Sequence, residues 1–233
     1  MRRLLMLMAV LSIAACDVVI EQPQVTTAQQ ARSSKGVDRA AFASVQSVVE
    51  PVAERECRNR TSGLNCDFHV SIDPDRNAPP NAFQTLDKNG RPRIVFTQAM
   101  LRQLANRDEL AFVMSHEAAH HIRNHLARQR QNAISGAIIL GGLATLAGGT
   151  SLDVANAQDL GATVGARGYS KEFELEADEL GTIITHRAGY RPSEGVRFFY
   201  RLPDPGDRFL GSHPSNPDRV KVVQATIRKY GLN

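Results

Sequence analysis

Five residues near the middle of the chain, His116-Glu117-Ala118-Ala119-His120, form the pattern HExxH. Two histidines at i and i+4 project from one face of a helix, so both imidazoles can reach one metal ion. The carboxylate between them is placed to take a proton from water activated by that metal. Zinc favours imidazole nitrogen, and a catalytic zinc site keeps one position open. The spacing therefore predicts a zinc hydrolase, with His116 and His120 as ligands and Glu117 as general base. A third ligand must come from elsewhere. The metzincin continuation is absent: Arg123 and Leu126 stand where it needs Gly and His, and no Met follows Met114 to form its Met-turn. On one unbroken helix, at ~100° per residue, His125 falls opposite His116 and His121 about 140° away. Both then read as surface or supporting residues. Farther on, Glu174 and Asp178 are again i and i+4. One of them can bind metal while the other hydrogen-bonds a ligand imidazole. Glu172, Glu176 and Glu179 read as a solvated acidic face.

These groups need rigid elements to hold them. Asp108 reads as the cap of a helix that carries HExxH and reaches about Arg130. A second helix, Tyr169 to Ala188, carries the acidic pair. Upstream, Phe42, Val45, Val48, Val49 and Val52 share one helical face behind Asp38 as N-cap, and Pro51 is a potential bend. Phe68, Val70 and Ile72 alternate as a strand, Ile94-Val95-Phe96 make another, and Asn89-Gly90 is a turn signal. A short helix covers Thr97 to Leu104, and the last runs from about Asp218 to Lys229. The uncharged stretch 131–152 holds five glycines between Ala133 and Thr150. Its Gly-Gly pairs weaken a continuous span. It reads as a buried glycine-rich helix pair or a lid rather than a membrane-dipping hairpin.

The N-terminus has the form of an address. Arg2 and Arg3 precede a short apolar run, Leu4 to Ala14, that suits a secretory leader and is too short to span a bilayer. Ile13-Ala14-Ala15-Cys16 is similar to a bacterial lipobox, with Ile13 where Leu is usual. Residues 1–15 are then a signal peptide, Cys16 is lipidated, residues 16–37 form a polar tether, and residues 38–233 form the catalytic domain. In an oxidising compartment the two remaining cysteines, Cys57 and Cys66, are expected to pair.

Composition sets outer limits. The chain has 233 residues, 42% hydrophobic and 22% charged, which excludes wholesale disorder, collagen and coiled coil. Net charge is +4 and falls close to neutral once Arg2 and Arg3 leave with the leader. With no Trp, 6% aromatics and no basic stripe, nucleic acid is excluded as a partner.

HExxH followed by Glu174-x-x-Ala177-Asp178 resembles the HtpX/BepA/LoiP group of peptidase family M48, of gluzincin type. Asn81-Ala82-Phe83, Asp108-Glu109-Leu110-Ala111, and Ser212-His213-Pro214 with Arg219 extend the resemblance over residues 66–222. With the lipobox, the likeness is to the lipoprotein branch. The resemblance implies a mainly α fold with a small β-sheet (α+β) beside the active-site helix. It implies one zinc ion on His116, His120 and Glu174, Glu117 as base, and Asp178 orienting a histidine. Asn81 and Ala82 would pair with substrate backbone on an edge strand. His213 would face the zinc, as oxyanion donor or as a latent fourth ligand, with Arg219 nearby. The implied activity is endoproteolysis of misfolded or stalled envelope proteins by a periplasm-facing enzyme held to the membrane by its lipid. A non-proteolytic chaperone that retains the zinc site is the alternative.

Overall fold

The computed structural model describes residues 36–168, 170–203 and 214–232. The leader, Cys16, most of the tether and His213 lie outside these residues. Helix α1 (Arg39–Arg60) begins where the Asp38 side chain accepts from the Ala41 N–H at 2.7 Å, and it continues through Pro51. It buries Phe42, Val45, Val49 and Val52, while Val48 stays at the rim of that face, 41% exposed.

Strands β1 (His69–Ile72), β2 (Ala82–Leu86) and β3 (Pro92–Phe96) form a mixed sheet in the order β1-β3-β2. β3 pairs parallel with β1, Val70 opposite Ile94, and antiparallel with β2, Gln84 opposite Ile94. The Asn89-Gly90 turn therefore joins β2 to β3. β2 is left as an edge. Thr97 then caps α2 (Gln98–Gln103) through a 3.1 Å bond from the Met100 N–H.

Helix α3 (Arg107–Ile122) carries HExxH and buries almost every residue it has, so it is the axis of the core. Its cap is Asn106 rather than Asp108: the Asn106 side chain accepts from Glu109 N–H at 2.9 Å, and Glu109 reaches back to Ala105 N–H at 2.7 Å. Asp108 sits in the first turn and binds the Arg191 backbone N–H at 2.9 Å. α1, β2, β3 and α6 (Ser170–Arg187) pack around α3. α7 (Pro192–Gly195), a 3-10 turn (Val196–Arg201) and α8 (Asn216–Tyr230) close the remaining side.

The glycine-rich stretch forms two paired helices, α4 (His125–Leu146) and α5 (Ser151–Gly168). They approach so closely at Gly136 and Gly161 that a Cβ on Gly161 would lie 2.1 Å from the Gly136 carbonyl oxygen. The pair itself matches expectation, but its burial does not. Ile138, Ile139, Leu143, Leu146 and Leu152 are all more than half exposed, because the glycines bring the helices onto each other and not onto the body. Among the described residues no helix is long and apolar enough to cross a membrane.

Cys57 and Cys66 are bridged, with Cα atoms 5.7 Å apart. The loop they close brings the Asn65 carbonyl to 2.7 Å from His121 Nε2, and His121 also lies edge-on to Phe68 at 5.3 Å. His121 is thus buried against the back of the fold and not on its surface.

At the far end of α1, buried Glu56 accepts from Arg60 at 2.8 Å and from Arg187 of α6. Burial works to raise its pKa, but the two arginines outweigh it and hold the carboxyl below the ordinary range. A depressed folded pKa means the contribution is full above the unfolded value and is lost as pH falls through the folded one. Glu56→Gln should cost about 1–2 kcal/mol at pH 7, at the lower end for a charged hydrogen bond because both arginines reach solvent. Urea titrations should show the gap from wild type closing as pH falls below the ordinary carboxylate range.

Candidate active site

Helices α3 and α6 cross at Gly181, where an added Cβ would come within 3.0 Å of the His116 backbone. This contact lets α6 lay its acidic side chains directly on the HExxH face. His116 Nε2 lies 3.4 Å from Glu174 Oε2, and His120 Nε2 lies 3.3 Å from Glu174 Oε1. The two Nε2 atoms are 3.0 Å apart. One ligand atom from each of His116, His120 and Glu174 falls within 4.8 Å of the others.

Asp178, fully buried, receives His116 Nδ1 at 2.9 Å. A carboxylate only accepts, so Nδ1 carries a hydrogen, and Nε2 faces Glu174 as the nitrogen that takes a metal once its own proton leaves. Burial opposes charge on Asp178, but the Arg219 guanidinium and His116 hold its carboxyl below the usual range. Arg219 donates through Nε and Nη2 to both Asp178 oxygens at 2.8 Å, and its Cζ lies 4.0 Å over the Phe199 ring. The resemblance placed Arg219 near the zinc. In the structure it clamps Asp178, and its Nη2 also lies 3.3 Å from both His116 ring nitrogens and 3.5 Å from Glu174 Oε2.

Glu117 lies beside these groups, 9% exposed, and its burial pushes the carboxyl above its ordinary pKa. That is the direction a general base working near neutrality requires. Burial also works against a proton on His116, yet Asp178 and Glu174 outweigh it and lift the imidazole to about 9. The pocket stabilises positive charge at this point. Two imidazole nitrogens and one carboxylate oxygen, converging with lone pairs inward, are a donor set that fits a catalytic zinc ion.

Of its two readings His125 takes the supporting one, and Glu176 departs from the solvated face assigned to it. His125 is buried, with Nδ1 2.8 Å from His120 Nδ1 and Nε2 3.1 Å from Glu176 Oε2. Burial holds its pKa down at about 4, so it is neutral. Glu176 is no solvated acid but takes Arg128 in a two-point pair at 2.6 and 3.1 Å. The helical count failed because α3 ends at Ile122. Asn124 takes a left-handed conformation at φ 57°, and α4 starts anew at His125. Asn is the non-glycine residue that best tolerates that conformation, and this was the available sign.

An open cleft of about 460 Å³ fronts the site, lined by Asn81, Ala82, Phe112, Glu117, Phe199 and Leu202 among others. Asn81 does not offer its main chain there. Its N–H donates to Thr97 Oγ1 and its carbonyl accepts from Thr97 N–H, both at 2.9 Å. Antiparallel pairing alternates, so Phe83 and Thr85 also face β3, leaving Ala82 and Gln84 to present main-chain groups at the open edge.

The profile of Peptidase family M48 matches residues 39–227. The chain is 31% identical over 134 residues to the beta-barrel assembly-enhancing protease of Escherichia coli (strain K12), covering 53% of this chain and 26% of that protein. It is 26% identical over 182 residues to the mitochondrial metalloendopeptidase OMA1 of Saccharomyces cerevisiae, 72% of this chain and 48% of the relative. To OMA1 of Arabidopsis thaliana it is 28% identical over 144 residues, 60% and 28% of the two chains. The alignments span between about a quarter and a half of these relatives' lengths.

Because Asp178 and Arg219 are both buried, removing either strands a charge. Arg219→Met should destabilise the metal-free protein by about 3–5 kcal/mol. The double variant with Asp178→Asn should recover part of that loss in denaturant titrations.

Proposed function

Because the chain belongs to peptidase family M48, we propose that it is a zinc-dependent endopeptidase acting on misfolded or stalled proteins of the bacterial cell envelope. The convergence of His116 Nε2, His120 Nε2 and Glu174 beside a buried Glu117 carries this reading. When bound, zinc supplies a Lewis acid that acidifies water to a pKa of about 7 and polarises a peptide carbonyl. Glu117 takes the proton from the attacking water and returns it to the leaving amine. Asp178, clamped by Arg219, keeps His116 in the tautomer that presents Nε2. A substrate in extended form adds to the edge of β2 through the main chain of Ala82 and Gln84. This mode selects an unfolded segment over a folded surface. Phe112, Phe199 and Leu202 wall the cleft and keep bulk water from the reacting carbonyl.

The envelope assignment draws on the lipobox-like Ile13-Ala14-Ala15-Cys16 and on bacterial relatives named for β-barrel assembly. On this reading residues 1–15 are removed, the lipid on Cys16 anchors the tether, and the Cys57–Cys66 bridge persists in the periplasm. His213 stands as the oxyanion donor or latent fourth ligand.

Glu117→Gln should bind zinc like wild type while cleavage of casein falls by about 10²–10⁴-fold. A zinc-loaded variant with near-normal turnover would overturn the mechanism. Glu174→Ala should lose zinc where Glu172→Ala keeps it. Chelator should abolish cleavage by wild type, whereas a chaperone that merely keeps the metal would show no cleavage to abolish. Separately, Cys16→Ser should move the protein from the membrane fraction to the soluble one, and retention in the membrane would exclude the lipid anchor.

A further inference from the structure

The first four residues of α4 and the first two turns of α6 build a second hydrogen-bonded chain that the reaction above does not use. His120 Nδ1 meets His125 Nδ1 at 2.8 Å, His125 Nε2 meets Glu176 Oε2 at 3.1 Å, and Arg128 grips both oxygens of Glu176. The chain is held sideways as well. Phe173 stacks on the His125 ring at 4.6 Å and 8°, and the Arg128 guanidinium lies 4.2 Å over Phe173. His125 is 4% exposed, so its ring cannot turn without displacing that stack.

The donor and acceptor roles along this chain follow from one end. Glu176, paired with Arg128, is a carboxylate and only accepts, so His125 Nε2 must carry a hydrogen. A neutral imidazole with hydrogen on Nε2 has a bare Nδ1, which can only accept. The facing atom, His120 Nδ1, must therefore donate. That leaves His120 Nε2 bare and aimed at Glu174 and His116 Nε2. Asp178 does the same for His116 directly. The geometry points to His125 as a positioning residue that, through Glu176 and Arg128, locks His120 in its metal-binding tautomer. α6 thus sets both ligand histidines, one by contact and one through an intervening imidazole. This inference rests on the metal centre described under Proposed function.

Two substitutions separate the role from packing. His125→Phe keeps an aromatic ring on Phe173 but has no acceptor, whereas His125→Asn places an amide oxygen near the position of Nδ1. Competition against a chromogenic zinc chelator, using the full chain, should show zinc affinity about 10–100-fold weaker in His125→Phe. His125→Asn should stay within about threefold of wild type. Long-range ¹H–¹⁵N spectra of histidine-labelled, metal-free wild type should show His120 with hydrogen on Nδ1. The His125→Phe spectrum should show a mixture of the two His120 tautomers. Wild-type zinc affinity in a folded His125→Phe variant would reduce His125 to packing and overturn the inference. If that variant does not fold, the wild-type spectrum decides: hydrogen on His120 Nε2 contradicts the lock. A wild type that binds no zinc but shows hydrogen on Nδ1 would instead defeat the metallopeptidase reading and leave the histidine pairing standing.

Discussion

A single buried carboxylate, Asp178, holds the site together. It joins α6, which carries it, to His116 of α3 at 2.9 Å and to Arg219 of α8 at 2.8 Å. A fully buried anion is tolerated only where donors surround it. Arg219 supplies two hydrogen bonds and a full positive charge, and His116 supplies a third bond. The same contacts that make Asp178 tolerable orient the first histidine. Stability and function therefore share one group, and neither helix can shift along the other without exposing a charge.

The close crossing at Gly181 makes this possible. Helices normally pack 8–10 Å apart, set by the side chains between them. A glycine opposite the His116 backbone shortens the gap, and the carboxylates one and two turns N-terminal to it then reach the histidines directly. α6 presents three acids in order along the metal ligands. Asp178 meets His116, Glu174 faces both Nε2 atoms, and Glu176 meets His125 behind His120. Only Glu172 and Glu179 remain toward solvent on that helix, as the spacing had suggested for the whole acidic face.

Around this rigid centre lie parts that face outward. β2 keeps an open edge beside the cleft, and the α4–α5 pair projects apolar side chains into solvent. α4 starts with His125, so the projecting pair and the support of His120 are parts of one helix. Its first turn is fixed by Glu176 and Phe173, while its later turns touch little but α5.

The features readable from sequence were those set by local spacing. HExxH and Glu174-x-x-x-Asp178 declare themselves because i and i+4 face the same way on any helix, wherever that helix packs. The apolar period of α1, the Thr97 cap and the helical pairing of the glycine-rich stretch belong to the same class. What tertiary structure decided depends on events that a periodic count does not contain. One left-handed residue, Asn124, ends α3 and turns His125 back to His120. Pairing β3 between β1 and β2 engages the Asn81 main chain with Thr97 and leaves Ala82 and Gln84 at the edge. Packing of α8 on α6 makes Arg219 the clamp of Asp178. In each case the residue's chemistry was visible in the chain, but its partner came from a distant segment, and only packing chose that partner.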